Sequence, residues 1–430
     1  MNGPAGRWER ANQVLADNWV GSYTVPSRSL YPHQWSWDSA FVAIGLAHLD
    51  PARAHRELTT LFEAQWADGR VPHIVFNPRV PPGQYFPGPE VWASGEIPGT
   101  PPVQTTGLVQ PPVHGYAALQ VYRCTGDRDF LVELYPKLVA YHRYLAEHRD
   151  VGGGGLAAIV HPWESGLDNS PAWDQALAAV AADPLVMSRY QRRDLQHAPA
   201  EERPTDGEYA RYLTLVESYR AMGYADRALG LDHPFVVECP LFNAVFAASE
   251  LALAEIAVVV GAPPGPHRQR AAALTEALLA RLYDPAAGMF TALDVRAGTR
   301  GGARTVAGLT PLLLPGLPAR VGETLLASLA SARFGLPATS YDRAAPGFDR
   351  RRYWRGPVWV NVNWLLWRAL LDRGERRLAD RVRAGLLSLV DRTGYYEYFD
   401  PLTGSGHGSG DFSWSAALTL DLLAAGRDPD

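Results

Sequence analysis

The sequence predicts an all-α fold in which about a dozen helices form a toroid of helix pairs, with long loops gathered at one mouth. Apolar residues recur at three- and four-residue spacing in many separate segments, which is the pattern of amphipathic helices. Between these segments lie long stretches rich in Pro and Gly, and loops of such length in a compact domain are usually functional. No strict short-period repeat is present, which disfavours an open solenoid.

Each predicted helix follows from this spacing and from the residues at its ends. Asp50 precedes Pro51, which is an N-cap followed by proline at the first helical position. Asp127 follows Gly126, where one helix should end and the next begin. The predicted helices, in chain order, are residues 9–18, 40–49, 52–66, 113–122, 130–145, 172–181, 211–222, 241–260, 268–282, 322–329, 358–371, 375–390 and 413–425. The predicted long loops are residues 69–112, 151–162, 294–307 and 337–356.

Length and composition indicate one globular domain. The 430 residues are interpreted as a single domain, residues 1–430, with loop insertions near residues 69–112 and 183–210. Hydrophobic residues make up 47% of the chain and charged residues 20%, which is enough to bury a sizeable core. The formal net charge of -5, without a long basic run, argues against a nucleic-acid partner. A homo-oligomer stays open, because composition does not encode assembly.

Cysteine usage and the apolar segments bear on location. Cys124 and Cys239 have neither metal-ligand spacing nor the pattern of a disulfide framework, which favours the reducing cytoplasm. The N-terminal residues lack the apolar core of a signal peptide. The longest apolar stretch, residues 240–262, is broken by polar residues and is interpreted as a buried helix, so no membrane partner is expected.

No cofactor or catalytic metal is expected. Histidines lie in several loop segments, but no pair has the spacing of a zinc site such as HExxH. No phosphate-binding GxxxxGK[ST] motif occurs, and the glycines of residues 152–155 are not followed by a helix start. A kinase or a dehydrogenase is therefore disfavoured.

Two aromatic segments combine tryptophan with hydrogen-bonding residues. Trp35 and Trp37 lie just before one predicted helix, and Trp354 and Trp359 lie just before and at the start of another. For any one tryptophan core packing is the favoured explanation, because tryptophan buries a large area wherever it lies. Here polar residues alternate with the rings, namely Gln34, Asp38, Arg355, Asn361 and Asn363. A mixed apolar and hydrogen-bonding surface of this kind suits a sugar, so a small-molecule carbohydrate is the expected partner.

Two carboxylates stand in similar aromatic and glycine-rich surroundings, Asp168 in one segment and Glu397 in another. Cleavage of a glycosidic bond needs one carboxylic acid to protonate the leaving oxygen and a second carboxylate to act on the anomeric centre or on a water. Each has an ordinary alternative. Asp168 could cap a helix, although Ser170 is the better cap, and Glu397 could be a strand-edge glutamate. Glu164 and Asp174 compete with Asp168 for the acid role.

Four segments in a fixed order resemble glycoside hydrolases of family 63, with trehalase as a more distant relative in the same clan. They are QWSWDSAF at residues 34–41, ESGLDNSPAWD at 164–174, YWRGPVWVNVNWL at 353–365, and EYFDPLTGSG with FSWSAAL between 397 and 418. The resemblance covers nearly the whole chain. It implies an (α/α)6 barrel, in agreement with the helix count, and hydrolysis of an α-glycosidic bond with inversion.

The resemblance also implies roles for individual residues. Asp168 would be the general acid, and Glu397 the general base that activates water. An inverting pair stands about 6.5–9.5 Å apart to admit that water. The residues that the resemblance places around the non-reducing sugar are Tyr31, Trp35, Trp37, Asp38, Gln110, Trp163, Gly166, Tyr353, Trp354 and Trp359.

Among family members, short bacterial ones that hydrolyse mannosylglycerate or glucosylglycerate are similar in size. Their substrates carry a carboxylate on the aglycone, and the resemblance implies that His73, Tyr85, Arg203 and Tyr209 bind it. A solvated loop charge is an equally weighted alternative for Arg203. The other functions left open are an α-glucosidase acting on trehalose-like or oligosaccharide substrates, a sugar epimerase on the same barrel, and a barrel that only binds sugars.

Overall fold

The structure is a computed structural model that describes residues 3–190, 192–196, 199–226, 230 and 232–426. The long α-helices are α1 (Pro4–Asp17), α2 (Ser36–Leu46), α3 (Pro51–Glu63), α5 (His114–Thr125), α6 (Arg128–His148), α9 (Asp206–Ala221), α10 (Pro240–Val260), α11 (Gly265–Arg281), α12 (Ala319–Ala330), α13 (Val360–Asp372), α14 (Arg376–Thr393) and α15 (Ser413–Ala424). Three short ones are α4 (Pro89–Trp92), α7 (Asp174–Ala178) and α8 (Val186–Arg189). The 3-10 helices are Ser94–Glu96, Pro162–Ser165, Pro171–Trp173, Asp194–Gln196, Ala200–Glu202 and Val306–Leu313.

Within the described residues, six helices form a closed inner ring. In order around the ring they are α2, α5, α10, the 3-10 helix Val306–Leu313, α13 and α15, and α15 packs back against α2. A second helix packs outside each of them, namely α3, α6, α11, α12, α14 and α1 in the same order. This is an (α/α)6 barrel, and the predicted toroid of helix pairs is confirmed.

Burial separates the inner helices from the outer ones. Every residue of α2 is buried, and α10 is apolar on nearly all sides, as expected for a helix surrounded by protein. The outer helix α3 buries only one face, and the Asp50 side chain caps it by accepting a hydrogen bond from the Arg53 N–H. By length and composition α10 could cross a membrane, but 72% of its most apolar window is buried inside the protein. The prediction of a buried helix there is confirmed.

One inner helix was not predicted, and two predicted helices need correction. The inner 3-10 helix Val306–Leu313 was not predicted, because Pro311 interrupts it and its residues are apolar on every side, which removes the amphipathic signal. The predicted helix at 172–181 is shorter and forms a 3-10 turn followed by α7. The predicted helix at 211–222 is α9, which begins earlier and packs on α4 and α8 outside the ring pairs.

Short strands hold the loops at one mouth of the barrel. They are β1 (Gln34–Trp35), β2 (Ile74–Val75), β3 (Ala158–Ile159), β4 (Val237–Glu238), β5 (Tyr283–Asp284), β6 (Met289–Phe290), β7 (Leu293–Asp294), β8 (Thr299–Arg300), β9 (Val358–Trp359), β10 (Tyr398–Phe399) and β11 (Gly406–His407). All pair antiparallel, in the orders β1-β2, β11-β10-β9, β3-β4-β7-β8 and β5-β6. Because β1, β4 and β9 lead directly into α2, α10 and α13, these strands mark the N-terminal mouth of the inner ring.

Candidate active site

One large cavity opens at the N-terminal mouth of the inner ring. Its volume is about 970 Å³ including the open mouth. The structure brings together in its lining all the site residues predicted from the sequence, namely Tyr31, Trp35, Trp37, Asp38, His73, Tyr85, Gln110, Trp163, Gly166, Asp168, Arg203, Tyr209, Tyr353, Trp354, Trp359 and Glu397. They come from loops far apart in the sequence, so the cavity exists only when the barrel has closed.

Glu397 accepts hydrogen bonds at both of its carboxylate oxygens. It directly precedes β10, and one carboxylate oxygen accepts from the hydroxyls of Tyr31 at 2.9 Å and Tyr353 at 3.0 Å. The other oxygen accepts from the Ser409 N–H at 3.2 Å. Burial raises the pKa of Glu397, while the Arg203 charge and these donors oppose the rise. Donors of this kind stabilise the carboxylate anion.

Asp168 lies in the same cavity in different surroundings. It is half-buried, and its backbone carbonyl is fixed by the Trp173 indole N–H at 2.9 Å and the Tyr212 hydroxyl at 3.1 Å. Its side chain receives no hydrogen bond from another side chain among the described residues. Burial raises the pKa of Asp168 to about 7, against the opposing charge of Arg203. The backbone of Asp168 is therefore held in place, and its carboxyl group keeps its proton to a higher pH than an ordinary aspartate does.

Arg203 lies between the carboxylates and the loop of residues 192–196. Its Nε donates to Asp194 at 3.3 Å, and one terminal nitrogen donates to the Tyr31 hydroxyl at 3.3 Å. The guanidinium carbon lies 4.4 Å from the centre of the Tyr353 ring. Arg203 is only 7% exposed, so the solvated-charge explanation for this arginine is excluded.

Tryptophan rings form the other side of the cavity. Trp354 and Trp359 stack with their centroids 3.7 Å apart, and the Trp354 N–H donates to the Asn169 side chain at 2.9 Å. Tyr353, which precedes them, has a positive φ of 35°, a conformation that costs energy for a residue with a side chain. That backbone turn carries the Tyr353 hydroxyl to Glu397.

Close backbone approaches require glycine at two positions. Gly166 has a φ of +69°, and a Cβ there would lie 2.6 Å from the Trp37 ring. Gly408 has a φ of +70°, and a Cβ there would overlap the Glu397 carboxylate and lie 2.8 Å from the Tyr398 ring. At both positions a side chain of the site occupies the space that a Cβ atom would take.

Asp38 lies in the first turn of α2 and lines the cavity. Burial, reinforced by Glu397 and Asp168, raises the pKa of Asp38 well above its usual range. The adjacent Trp37 N–H donates to the Gln110 side chain at 3.1 Å. These contacts place a carboxyl group and an amide beside the tryptophan rings, where sugar hydroxyls can be bound.

Aromatic residues of the first long loop cover the cavity. Trp35 contacts Tyr31, His73 and Tyr85 edge to face, with centroids 4.8 to 6.4 Å apart. Burial lowers the pKa of His73 well below its usual range, so its ring is neutral and serves as a hydrogen-bonding group. Tyr209 lies under the Arg192 guanidinium at 4.3 Å.

The two rivals for the acid position are committed elsewhere. Glu164 is completely buried and accepts two hydrogen bonds from Arg149, at 2.6 and 2.8 Å, and further ones from the Val109 and Val160 N–H groups. Asp174 pairs with Arg355 near the surface. Neither lines the cavity, so both acid alternatives are wrong. Ser170 accepts from the Ala172 N–H, so its expected cap is confirmed.

Some cavity residues were missed from the sequence. Phe412 and Trp414 line it from the start of α15, although they stand in the quoted FSWSAAL segment. Arg193 and Asp194 line it from the loop that precedes Arg203, where no motif marks them. Within the described residues no group of three or more His, Cys, Asp and Glu side chains is arranged to hold a metal ion.

Two carboxyl groups in different hydrogen-bond surroundings face a tryptophan-lined cavity on an (α/α)6 barrel, an arrangement suited to cutting glycosidic bonds, and this chain is a glycoside hydrolase. The family model described as mannosylglycerate hydrolase MGH1-like glycoside hydrolase domain matches residues 31–415, and the chain belongs to this family.

Individual relatives match over almost their full length. The chain is 42% identical to a mannosylglycerate hydrolase of Rubrobacter radiotolerans, over 97% of this chain and 96% of that protein. It is 38% identical to a glucosylglycerate hydrolase of Mycolicibacterium hassiacum, over 96% and 97%. The crystal structure of a GH63 mannosylglycerate hydrolase from Thermus thermophilus, in complex with Tris and D-glycerate, superposes with a TM-score of 0.90 at 41% identity, covering 96% of this chain and 99% of that one. The resemblance to family 63 is confirmed.

Proposed function

We propose that the chain hydrolyses a small α-glycoside with an anionic aglycone, glucosylglycerate or mannosylglycerate, to free sugar and glycerate with inversion. The names of the Rubrobacter and Mycolicibacterium relatives support this substrate class. The observation that carries the proposal is that Asp168 and Glu397 line one cavity but have opposite hydrogen-bond surroundings. Such a contrast separates the acid from the base in a carboxyl pair.

Asp168 is the general acid in this proposal. A pKa of about 7 keeps a large share of its carboxyl groups protonated near neutral pH, so a proton is available for the leaving oxygen. The hydrogen bonds to its backbone carbonyl hold the residue still while the carboxyl group remains free for the substrate.

Glu397 is the general base. Two tyrosine hydroxyls and one backbone N–H stabilise it as an anion, and the nearby Arg203 adds a positive charge. The carboxylate can then remove a proton from a water that attacks the anomeric carbon from the face opposite to Asp168.

In this proposal the other residues that line the cavity contact either the sugar or the aglycone. The sugar lies among Tyr31, Trp35, Trp37, Asp38, Gln110, Trp163, Gly166, Tyr353, Trp354 and Trp359, and the aglycone lies toward His73, Tyr85, Arg203 and Tyr209. Arg203 uses Nε for Asp194 and Nη1 for Tyr31, and no hydrogen bond is found for its Nη2 among the described residues. That nitrogen can donate to a carboxylate or to a glycerate hydroxyl.

The test supplies purified protein with glucosylglycerate, mannosylglycerate, trehalose and a glucose-terminated α-linked oligosaccharide, and follows the first-released anomer by proton NMR. Preferential cleavage of a glycerate glycoside, with the β-sugar appearing first, is the expected result. Asp168→Asn and Glu397→Gln should each lower kcat by about 100-fold or more. Cleavage of only trehalose or the oligosaccharide would overturn the substrate, and an α-sugar appearing first would overturn inversion.

We also propose that the protein works in the cytoplasm. Both Cys124 and Cys239 are free thiols, Cys124 exposed and Cys239 buried, which suits a reducing compartment. Cell fractionation of the host that expresses a tagged chain tests this. Recovery of the tag in the periplasm or the medium would contradict it.

A further inference from the structure

Arg193 differs from the other arginines of its loop in having no anionic partner among the described residues. Arg192 donates to both oxygens of Asp194, at 3.1 and 2.7 Å, and also to Asp206. Arg189 pairs with Asp183 and Glu217. Arg193 is half-buried, lines the cavity and forms neither an ion pair nor a side-chain hydrogen bond in the part of the chain that the structure describes.

The loop on either side holds the backbone of Arg193 in place. Arg192 lies over the Tyr209 ring at 4.3 Å, and Asp194 is shared between Arg192 and Arg203. The Arg193 carbonyl accepts from the Gln196 N–H at 3.0 Å, which closes a 3-10 turn. Its neighbours are thus anchored while its own guanidinium remains available to a ligand.

The charges around the cavity show why an anionic aglycone needs this residue. Among the described residues, four carboxyl groups line the cavity, Asp38, Asp168, Asp194 and Glu397, against the two guanidinium groups of Arg193 and Arg203. Arg203 contacts Asp194 directly and is attracted by Glu397, so most of its charge is already balanced. A substrate carboxylate near Arg203 alone would meet those two anions.

We propose that Arg193 is a specificity-determining residue that binds the carboxylate of the aglycone at the cavity mouth. The inference rests on the proposed function and adds to it the residue that selects an acid over a neutral aglycone. A planar guanidinium presents two parallel N–H groups to a carboxylate. Salt weakens such an ion pair at a half-buried cavity mouth but does not abolish it. Arg203, whose Nη2 has no hydrogen bond among the described residues, contacts the same aglycone and supports Glu397.

The test uses two substrates that differ in one group. α-Glucosylglycerate carries a carboxylate, and α-glucosylglycerol carries a hydroxymethyl group at the same carbon; if the enzyme prefers mannose, the mannosyl pair is used. Wild-type protein, Arg193→Ala and Arg193→Lys are compared by kcat and KM. Arg189→Ala is the matched control, because it removes an arginine of the same segment that does not line the cavity.

Arg193→Ala should raise KM for the acid by about tenfold and leave kcat and the neutral substrate within about twofold, because the lost contact acts on binding. Arg193→Lys should retain part of the effect, and Arg189→Ala should match wild type. Raising the salt concentration should lower wild-type kcat/KM for the acid more than that of Arg193→Ala.

The possible failures are distinguishable. If wild type prefers the acid and Arg193→Ala prefers it equally, the role of Arg193 is overturned while the proposed function stands. If wild type cleaves both substrates equally, or neither, the anionic aglycone itself is wrong and the inference is overturned with it.

Discussion

At the scale of the residue, Gly408 determines the position of the Glu397 carboxylate. Any side chain at 408 would occupy the space that a carboxylate oxygen of Glu397 fills. The residue also has a left-handed backbone, which costs a non-glycine residue about 1 kcal/mol. Displacement of the carboxylate and strain of the backbone can be measured separately, because substitution of another glycine, Gly153, would cause only the backbone strain.

Because Glu397 is the proposed base, Gly408→Ala should lower kcat by about 100-fold, since the displaced carboxylate would no longer align a water. Gly153→Ala is the control, since Gly153 has a φ of +62° with open space around its Cβ position. Gly408→Ala should lose more stability in thermal unfolding than Gly153→Ala, because it causes both the displacement and the backbone strain, and only Gly408→Ala should lose activity. Equal kcat in the two variants would show that Gly408 serves the backbone alone.

The general-acid role that we propose for Asp168 predicts the alkaline limb of the pH profile of activity. Asp168 must be protonated to act, and its pKa is raised to about 7 by burial. The kcat/KM for a glycerate glycoside should therefore be constant at mildly acid pH and fall about tenfold per pH unit above pH 7. A pH profile measures this, and a profile that stays flat to pH 9 would assign the acid role to another group.

At the scale of the element, polar contacts join the β10-β11 hairpin to the 3-10 helix Ala200–Glu202, and one of them is the hydrogen bond that the Tyr398 hydroxyl donates to the Glu202 carbonyl at 3.5 Å. His407 on β11 bonds to Glu202 at 2.8 Å, and its ring stacks on Tyr398 of β10 at 6.0 Å. Glu397 directly precedes β10, and Arg203 directly follows Glu202. The contact between His407 and Glu202 therefore couples the proposed base to the loop that carries Arg203, on the proposed aglycone side of the cavity.

Loss of this contact should act on substrate binding. His407→Ala and Glu202→Ala should each raise KM for the glycerate glycoside about fivefold with a smaller change in kcat, since the segment that carries Arg203 loses the anchor at Glu202. Glu202→Gln retains an acceptor for the imidazole and should keep the wild-type KM. In the double mutant the effects should be less than additive, and full additivity would mean that the two residues act independently.

How far the sequence predicts these elements depends on their distance from the inner ring. Trp35, Asp38, Tyr353 and Trp359 stand next to an inner helix start, so their pattern predicts both the helix and the site. The loop of residues 192–196 is held by side-chain pairs that no periodicity encodes. The inner 3-10 helix also escaped prediction, because a segment apolar on all sides has no face to detect.

At the scale of the whole molecule, the site lowers stability at alkaline pH. The pKa of Asp168 rises from 3.8 in the unfolded chain to about 7 in the folded one. The folded protein therefore binds more protons than the unfolded chain within that window, and stability is lost as the pH rises through it. Buried Glu57 acts in the same direction, since burial raises its pKa from 4.5 to about 7.

Asp168→Asn should consequently unfold at a higher temperature than wild type at pH 8. Its free energy of unfolding should be about 2 kcal/mol larger, a value reduced from the full pKa shift because solvent in the cavity screens the charge. At pH 4 the two proteins should unfold alike, because both then carry a neutral side chain at 168. Thermal unfolding at the two pH values measures the difference. A variant equally stable or less stable than wild type at pH 8 would contradict the raised pKa.

The contact between α2 and α15 closes the inner ring between segments near opposite ends of the described chain. Bringing such distant segments together is an entropically costly step, and chains rich in distant contacts fold slowly. Helix pairs can form early in refolding from residues close in sequence, whereas the cavity needs the final closure. During refolding, recovery of catalytic turnover should therefore lag behind recovery of helical circular dichroism, and a partly assembled barrel will contain both carboxyl groups yet remain inert.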